Sequence, residues 1–201
     1  GKVFPNFNKP RWMETEEEAP VEVWLTVQER KFVAMVRLSD RTMRHRNYKT
    51  AHLPGSLRPT LAAAMAYMTR PSPKDRFIDP LCGAGTIPLE RNVMEDARLI
   101  AGGDINHEAL DVCRENSENQ NHPPEWVNWN AVALPFPDYS IDKAAANLPF
   151  GVKHDTGGNT TAFYTSVTEE TGRVLRPGGI AVFLTSQKRD LDRALGTSGP
   201  L

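Results

Sequence analysis

The feature that most constrains this chain is the stretch from Phe77 to Thr86, F-I-D-P-L-C-G-A-G-T. The run Arg76-Phe77-Ile78-Asp79 reads as a short buried strand. Gly83 and Gly85 punctuate the turn that follows, and Thr86-Ile87-Pro88-Leu89-Glu90 opens a segment with helical character. Strand, glycine loop and helix, in that order, form the place where an α/β sheet receives a nucleotide-like cofactor. A Cβ in such a loop would keep the backbone away from a ligand and would oppose positive φ, hence two glycines. An ordinary tight βα turn has the same pattern, so the loop needs further landmarks before it implies chemistry.

Two landmarks follow. The strand-like segment Leu99-Ile100-Ala101-Gly102-Gly103 ends in Asp104. An acidic residue at the tip of the second strand, roughly 20 residues past the glycine loop, is placed to take both hydroxyls of a ribose. Asp104 can equally cap the helix that starts near Asn106. Later, Ile141-Asp142-Lys143-Ala144-Ala145-Ala146 runs into Asn147-Leu148-Pro149-Phe150-Gly151. That is an unusual exit from a strand unless an asparagine amide and an aromatic ring are wanted at its carboxyl end. The plain alternative is an Asn-Pro turn with a core phenylalanine.

Together these residues resemble the class I S-adenosylmethionine-dependent methyltransferases of the amino-group subclass. N-L-P-F-G stands where that subclass carries D/N-P-P-Y/F. With Ser56-Leu57-Arg58-Pro59-Thr60-Leu61-Ala62-Ala63-Ala64-Met65 and D-P-L-C-G-A-G-T-I-P-L-E, the chain over residues 41 to 195 is similar to the catalytic domain of THUMP-associated RNA guanine-N2 methyltransferases. The resemblance implies a doubly wound, Rossmann-like α/β fold, S-adenosylmethionine as cofactor, S-adenosylhomocysteine as product, and an RNA partner, with guanine N2 in tRNA as the target. It also implies residue roles. The backbone of Pro80, Leu81, Cys82, Gly83, Ala84, Gly85 and Thr86 lines the methionine portion, and Asp79 engages its ammonium group. Arg58, Pro59 and Thr60 lie at the carboxylate end, Asp104 at the ribose, and Ile105 against adenine. Asn130 and Ala131 fall at the adenine edge, with Asn130 where many relatives carry Asp; Asn130 can also be a simple strand-end turn residue.

Methyl transfer to nitrogen is an in-line displacement that needs no metal, only a donor and an amine held at near-attack geometry. An exocyclic amine is a poor nucleophile because its lone pair is delocalised into the ring. Accepting both N–H hydrogens aims density at the methyl. Asn147 Oδ1 supplies one acceptor and a main-chain carbonyl of Leu148-Pro149 the other, with Pro149 fixing the backbone direction. Phe150 is suited to stack on a base flipped into the pocket. The same motif serves other planar amines. Methylation of adenine N6 or of a glutamine amide remains as an alternative, and so does a non-catalytic fragment that binds cofactor or RNA.

At 201 residues the chain has room for one α/β domain and a modest extension. A net charge of −1 excludes a general polycation, but charge is unevenly spread. Between Arg41 and Lys74 stand seven basic residues (Arg41, Arg44, Arg46, Lys49, Arg58, Arg70 and Lys74) and no Asp or Glu. Such a stretch suits a polyanion, and Arg41, Arg44, Arg46 and Lys49 are the candidate RNA contacts. A solvated loop balanced by acidic neighbours in space would look the same. Two cysteines, Cys82 and Cys113, are too few for a disulfide framework or a zinc site, and Cys82 reads as a small packing residue. Five histidines lack metal-ligand spacing, so no metal is expected. No signal peptide and no apolar run near 18 residues is present, so the expectation is a cytoplasmic protein without a membrane partner.

Residues 1 to 40 read as a polar leader and a hairpin (Val21 to Val27, Phe32 to Leu38), the remnant of a THUMP-type module or linker. Residues 41 to 201 read as the Rossmann-like methyltransferase domain. Ser56 is placed to cap a helix running to about Thr69. Further helices are expected near 86–95, 107–119, 161–175 and 187–195, with strands at 76–79, 99–104, 126–130, 142–148 and 180–185. Arg176-Pro177-Gly178-Gly179 is a helix stop. This class adds an antiparallel pair as its last two strands; these are not found before Leu201, which leaves one sheet edge open.

Overall fold

A computed structural model of the protein describes residues 22–28, 31–37, 46–149 and 159–198. The chain divides into two compact units, Gly1–Met43 and Arg44–Leu201. In the first, strands β1 (Glu22–Gln28) and β2 (Lys31–Arg37) pair antiparallel from Glu22↔Arg37 to Gln28↔Lys31, the hairpin expected from sequence.

The second unit alternates strand and helix: α1 (Pro59–Met68), β3 (Arg76–Asp79), α2 (Thr86–Met94), β4 (Leu99–Asp104), α3 (His107–Ser117), β5 (Glu125–Asn128), β6 (Ile141–Asn147), α4 (Thr160–Val174), β7 (Leu175–Leu184) and α5 (Lys188–Ser198). Five strands lie in the order β5-β4-β3-β6-β7, and every pair is parallel. The protein is therefore α/β and doubly wound, with a sheet buried on both faces, which is why β6 is buried at every position from Ile141 to Ala146 rather than at alternate ones. Phe77 packs with Ala62, Met65, Ile87, Ile100 and Ala145 on one side. Ile78 packs with Trp129, Leu134, Ala144 and Val174. The chain order reverses between β3 and β6, so the crevice at their carboxyl ends is the topological switch point.

Three local expectations need correction. Arg58 holds the N-cap position of α1 without a side-chain cap, while Ser56 Oγ donates to Leu53 O at 2.6 Å and closes a separate turn. Pro59 follows at the first helical position, where its missing N–H costs nothing. β5 ends at Asn128, so Trp129 and Asn130 lie beyond it. Arg176 to Gly179 end α4 as expected but are absorbed into β7: pairing passes from Ile141↔Leu175 to Lys143↔Ile180, and the extra residues bulge out with Gly178 at φ +78°.

The glycines of the loop and of β4 serve different ends. Gly83 (φ +50°) and Gly85 (φ +74°) are both left-handed. A Cβ on Gly85 would meet the Trp126 ring at 2.7 Å and Cys113 Sγ at 2.9 Å, whereas one on Gly83 would meet nothing within 4 Å. A Cβ on Gly103 would fall 2.0 Å from the Trp129 ring. Gly85→Ala is thus expected to destabilise by about 3 kcal/mol, from combined backbone strain and overpacking, and Gly83→Ala by about 1 kcal/mol from strain alone. Denaturant unfolding of the two variants checks the difference; equal losses would refute it.

Candidate active site

The parallel register brings three polar side chains to the switch point. Asp79 ends β3, level with Gly102 of β4, and Ile78 is level with Ala144 of β6. Asp104 and Asn147 therefore each stand two residues past the level of Asp79, about 7 Å further along at the rise of a parallel strand. One lies to either side of it.

Asp79 is 1% exposed. Its Oδ1 accepts from the Leu81 N–H at 3.0 Å, but its buried Oδ2 has no hydrogen-bond partner. Burial pushes this carboxyl well above its ordinary range, the Leu81 N–H opposes the shift, and nearby Asp104 adds to it. An orphaned buried carboxylate oxygen asks for a cation or a proton. Asn147 Oδ1 is likewise buried without a partner. These two atoms at adjacent strand ends are the only buried orphan oxygens at the switch point among the described residues.

Asp104 is fixed from two directions: Oδ2 accepts from the Gly83 N–H at 3.0 Å and Oδ1 from the Asn106 N–H at 2.9 Å. Asn106, not Asp104, caps α3, its side chain accepting from Glu108 N. Ile105 is 70% exposed, an apolar face presented to solvent beside the carboxylate. Asn128 Nδ2 holds that corner by donating to the carbonyls of Asp104 and Ile105. Asn130 is exposed and its Oδ1 accepts from Val132 N at 3.2 Å, while Ala131 is buried.

At the end of β6, the Leu148 side chain is fully buried in the core beside Tyr164, so only its backbone is available to the site. The Tyr164 hydroxyl donates to Pro149 O at 2.7 Å and lies 2.8 Å from Thr185 Oγ1. Phe150 falls outside the described residues, as do Arg41 and Arg44.

The basic segment is strapped to the domain. Arg46 Nε donates to buried Glu90 Oε1 at 2.8 Å, and the Tyr48 hydroxyl donates to the same oxygen. Lys49 Nζ donates to Leu57 O at 3.0 Å and to Thr86 Oγ1 at 3.3 Å, and burial lowers its pKa. That contact sets the start of α1, with exposed Arg58 and Thr60, beside the glycine loop. Asn116 of α3 clamps Ala51 at its N–H and carbonyl and reaches Ala84 O. Cys82 Sγ lies 3.8 Å from Cys113 Sγ, and Cys113 donates to Gly83 O. Both thiols are buried, and burial pushes Cys82 well up, so neither is a nucleophile. No group of metal-ligating side chains is present among the described residues.

Residues 46–200 match the family described as RMKL-like, methyltransferase domain. The chain belongs to that family. The chain is 29% identical to the tRNA (guanine(6)-N(2))-methyltransferase THUMP3 of Mus musculus, over 94% of this chain and 40% of that protein. It is 30% identical to the tRNA (guanine(6)-N2)-methyltransferase of Thermus thermophilus, over 80% of this chain and 48% of that protein. Identity to the U6 snRNA (guanine-N(2))-methyltransferase THUMPD2 of Bos taurus is 32%, over 72% of this chain and 29% of that protein. The crystal structure of TrmN from Thermus thermophilus superposes with a TM-score of 0.71 at 29% identity, over 87% of this chain and 52% of that one. The chain thus spans about half or less of the length of these relatives.

The residues fit the cofactor of such a domain, S-adenosylmethionine. Its ammonium would supply the cation that the unpartnered Asp79 Oδ2 calls for, and no atom lies within 4 Å of a Cβ built on Gly83.

Because the folded carboxyl of Asp79 titrates above its unfolded value, the native state retains a proton that the unfolded chain has released. Stability is therefore lost as pH rises from the ordinary carboxylate range toward the raised value. In ligand-free scans between about pH 5 and pH 8, the Tm of Asp79→Asn should gain on that of the wild type as pH rises. S-adenosylhomocysteine should raise the wild-type Tm far more than the variant's. A Tm difference independent of pH would refute the assignment.

Proposed function

We propose that this domain transfers a methyl group from S-adenosylmethionine to an exocyclic base amine of RNA, namely guanine N2 of a tRNA. The observation that carries the proposal is the pair of buried, unpartnered oxygens, Asp79 Oδ2 for the cofactor and Asn147 Oδ1 for the amine. The three relatives named above, each a guanine-N2 methyltransferase by name, support guanine over adenine, and two of them support tRNA. No helix among the described residues is long and apolar enough to cross a membrane. The two free buried thiols suit a reducing compartment, hence a cytoplasmic enzyme.

When bound, the cofactor supplies an electrophilic methyl group on a sulfonium. Asp79 accepts a hydrogen bond from its ammonium, and Asp104 accepts from the ribose hydroxyls while the Gly83 and Asn106 N–H groups hold the carboxylate still. Ile105 offers its apolar surface to adenine, and Asn130 and Ala131 form the edge of that pocket. Arg58, Pro59 and Thr60 lie toward the carboxylate. Asn147 Oδ1 accepts one N–H of the amine. The carbonyls of Leu148 and Pro149 lie next to it as second acceptors, with Tyr164 setting the direction of the Pro149 carbonyl. Asparagine is neutral, so it orients the amine and leaves the proton to solvent. Phe150 stacks on the flipped base. Arg41, Arg44, Arg46 and Lys49 are the proposed contacts to the polyanion, although Arg46 and Lys49 also secure the strap.

Incubation with labelled S-adenosylmethionine and total RNA, followed by nucleoside analysis, should place the label in N2-methylguanosine. Label in N6-methyladenosine would overturn the choice of base. Asn147→Ala should cut single-turnover transfer by at least about 100-fold while leaving S-adenosylhomocysteine affinity within about threefold. Asp104→Ala should instead weaken that affinity by at least about tenfold, through loss of charge-assisted hydrogen bonds worth about 1.5–3 kcal/mol each. Transfer by Asn147→Ala near the wild-type rate would mean that N-L-P-F is only a turn.

A further inference from the structure

A polar cavity of about 480 Å³ opens at the amino ends of β3, β4, β6 and β7, the opposite end of the sheet from Asp79 and Asn147. Lys74, Arg76, Arg98, Lys143 and Arg176 line it. Two carboxylates also reach it, and both are already committed. Asp142 Oδ1 pairs with Arg176 Nε at 2.7 Å, and its Oδ2 accepts from the Arg76 N–H at 2.7 Å. Asp75 Oδ2 accepts from Ser72 N and lies 3.6 Å from the buried guanidinium of Arg91. Lys74, Arg76, Arg98 and Lys143 are left without a carboxylate partner among the described residues.

Lys143 is the decisive member. The residue is only 9% exposed, it lines the cavity, and its ammonium makes no hydrogen bond or ion pair with the described residues. An ammonium held in a largely enclosed polar cavity without a counter-ion is repelled by the three further cations around it. An anion in the cavity removes that repulsion. The register shift between Ile141 and Lys143 lies at this end of the sheet, where residues 176–179 bulge out of β7. On the rim, Tyr139 is held at φ +56° with 66% of its surface exposed, an unfavourable backbone for a bulky residue that keeps a ring free beside the cations.

We infer that this cavity is a phosphate-binding site, distinct from the methyl-transfer site. Several converging donors and no free carboxylate match an oxyanion with more than one charge. Phosphate reaches the protein either within an RNA backbone or as a free polyphosphate, and Tyr139 tells them apart, because stacking needs a neighbouring base. The RNA arm of the test rests on the function proposed above; the polyphosphate arm does not.

The test is calorimetric titration of the protein with inorganic pyrophosphate, beside RNA binding measured across a salt series. The variants are Lys143→Gln, the surface double variant Lys74→Gln/Arg98→Gln, which keeps the core intact, and Tyr139→Ala. Pyrophosphate should bind one site on the wild type and at least about tenfold more weakly on both cation variants. If RNA is the source, the slope of log affinity against log salt should fall by about 0.7–0.9 per phosphate contact removed, and Tyr139→Ala should weaken RNA but not pyrophosphate. An altered pyrophosphate affinity with an unchanged RNA slope would assign the site to a free polyphosphate. S-adenosylhomocysteine affinity should stay at the wild-type value in all variants, which separates failure here from failure at the methyl-transfer site. If neither pyrophosphate affinity nor RNA slope changes in the cation variants, the inference is overturned.

Discussion

A carboxylate oxygen is sealed at the end of β3 without a hydrogen-bond partner, and the carboxyl end of the sheet is built around it. Leaving Asp79 Oδ2 unpartnered costs folding free energy, and the fold surrounds it with interactions that do not depend on it. Gly83 N–H goes to Asp104, Cys82 N–H to Gly103 O, and the Trp129 indole N–H to Pro80 O at 3.1 Å. The loop is therefore held in place by neighbours while Asp79 Oδ2 is left without a protein partner. Catalysis by positioning requires this kind of pre-organisation, since donors and acceptors that must reorganise during the reaction forfeit their advantage.

The tryptophans explain why β4 carries consecutive glycines. Gly102 lies under Trp126 and Gly103 under Trp129, with the rings closer than any Cβ would allow. Trp126 is tied to α3 by its N–H to Ser117 Oγ, so β4, β5 and α3 form one block behind the cofactor loop. On the other side, Glu90 and Asn116 strap residues 46–57 onto α2 and α3. A buried glutamate on α2 needs a cation, and Arg46 supplies it. The basic segment is in part structural for that reason, and its free cations are fewer than its composition suggests.

The alternation of elements, the glycine loop, Asp104 and Asn147 were legible because each depends on local chemistry: φ sign, strand length, and the identity of a residue at a strand end. Residues acting through contacts distant in sequence were not. Tyr164 holds Pro149 O from fifteen positions away, and Asn116 holds Ala51 from sixty-five. Nothing in their neighbourhoods marks them, although a lone Glu90 in an apolar helix face facing an acid-free basic stretch was a readable signal for the strap. The bulge in β7 also escaped notice, because Arg-Pro-Gly-Gly is an equally good helix stop and bulge, and only pairing with β6 distinguishes the two.

The ends of a parallel sheet are inequivalent, and here they carry opposite charge. At the carboxyl ends the unsatisfied atoms are oxygens, of Asp79 and Asn147, which suits a cationic cofactor and an amine. At the amino ends the groups without a carboxylate partner among the described residues are ammonium and guanidinium, of Lys143, Lys74, Arg76 and Arg98. RNA is attracted by cations and repelled by the acids that the cofactor needs, so one surface cannot serve both demands well. On the proposed reading, a phosphate held at the amino ends would let electrostatics draw the polyanion in without weakening the acidic site. Lys143 and Asn147 stand four residues apart on β6, about 13 Å at the rise of a parallel strand and more than one Debye length at physiological salt, so the two fields are partly screened from each other.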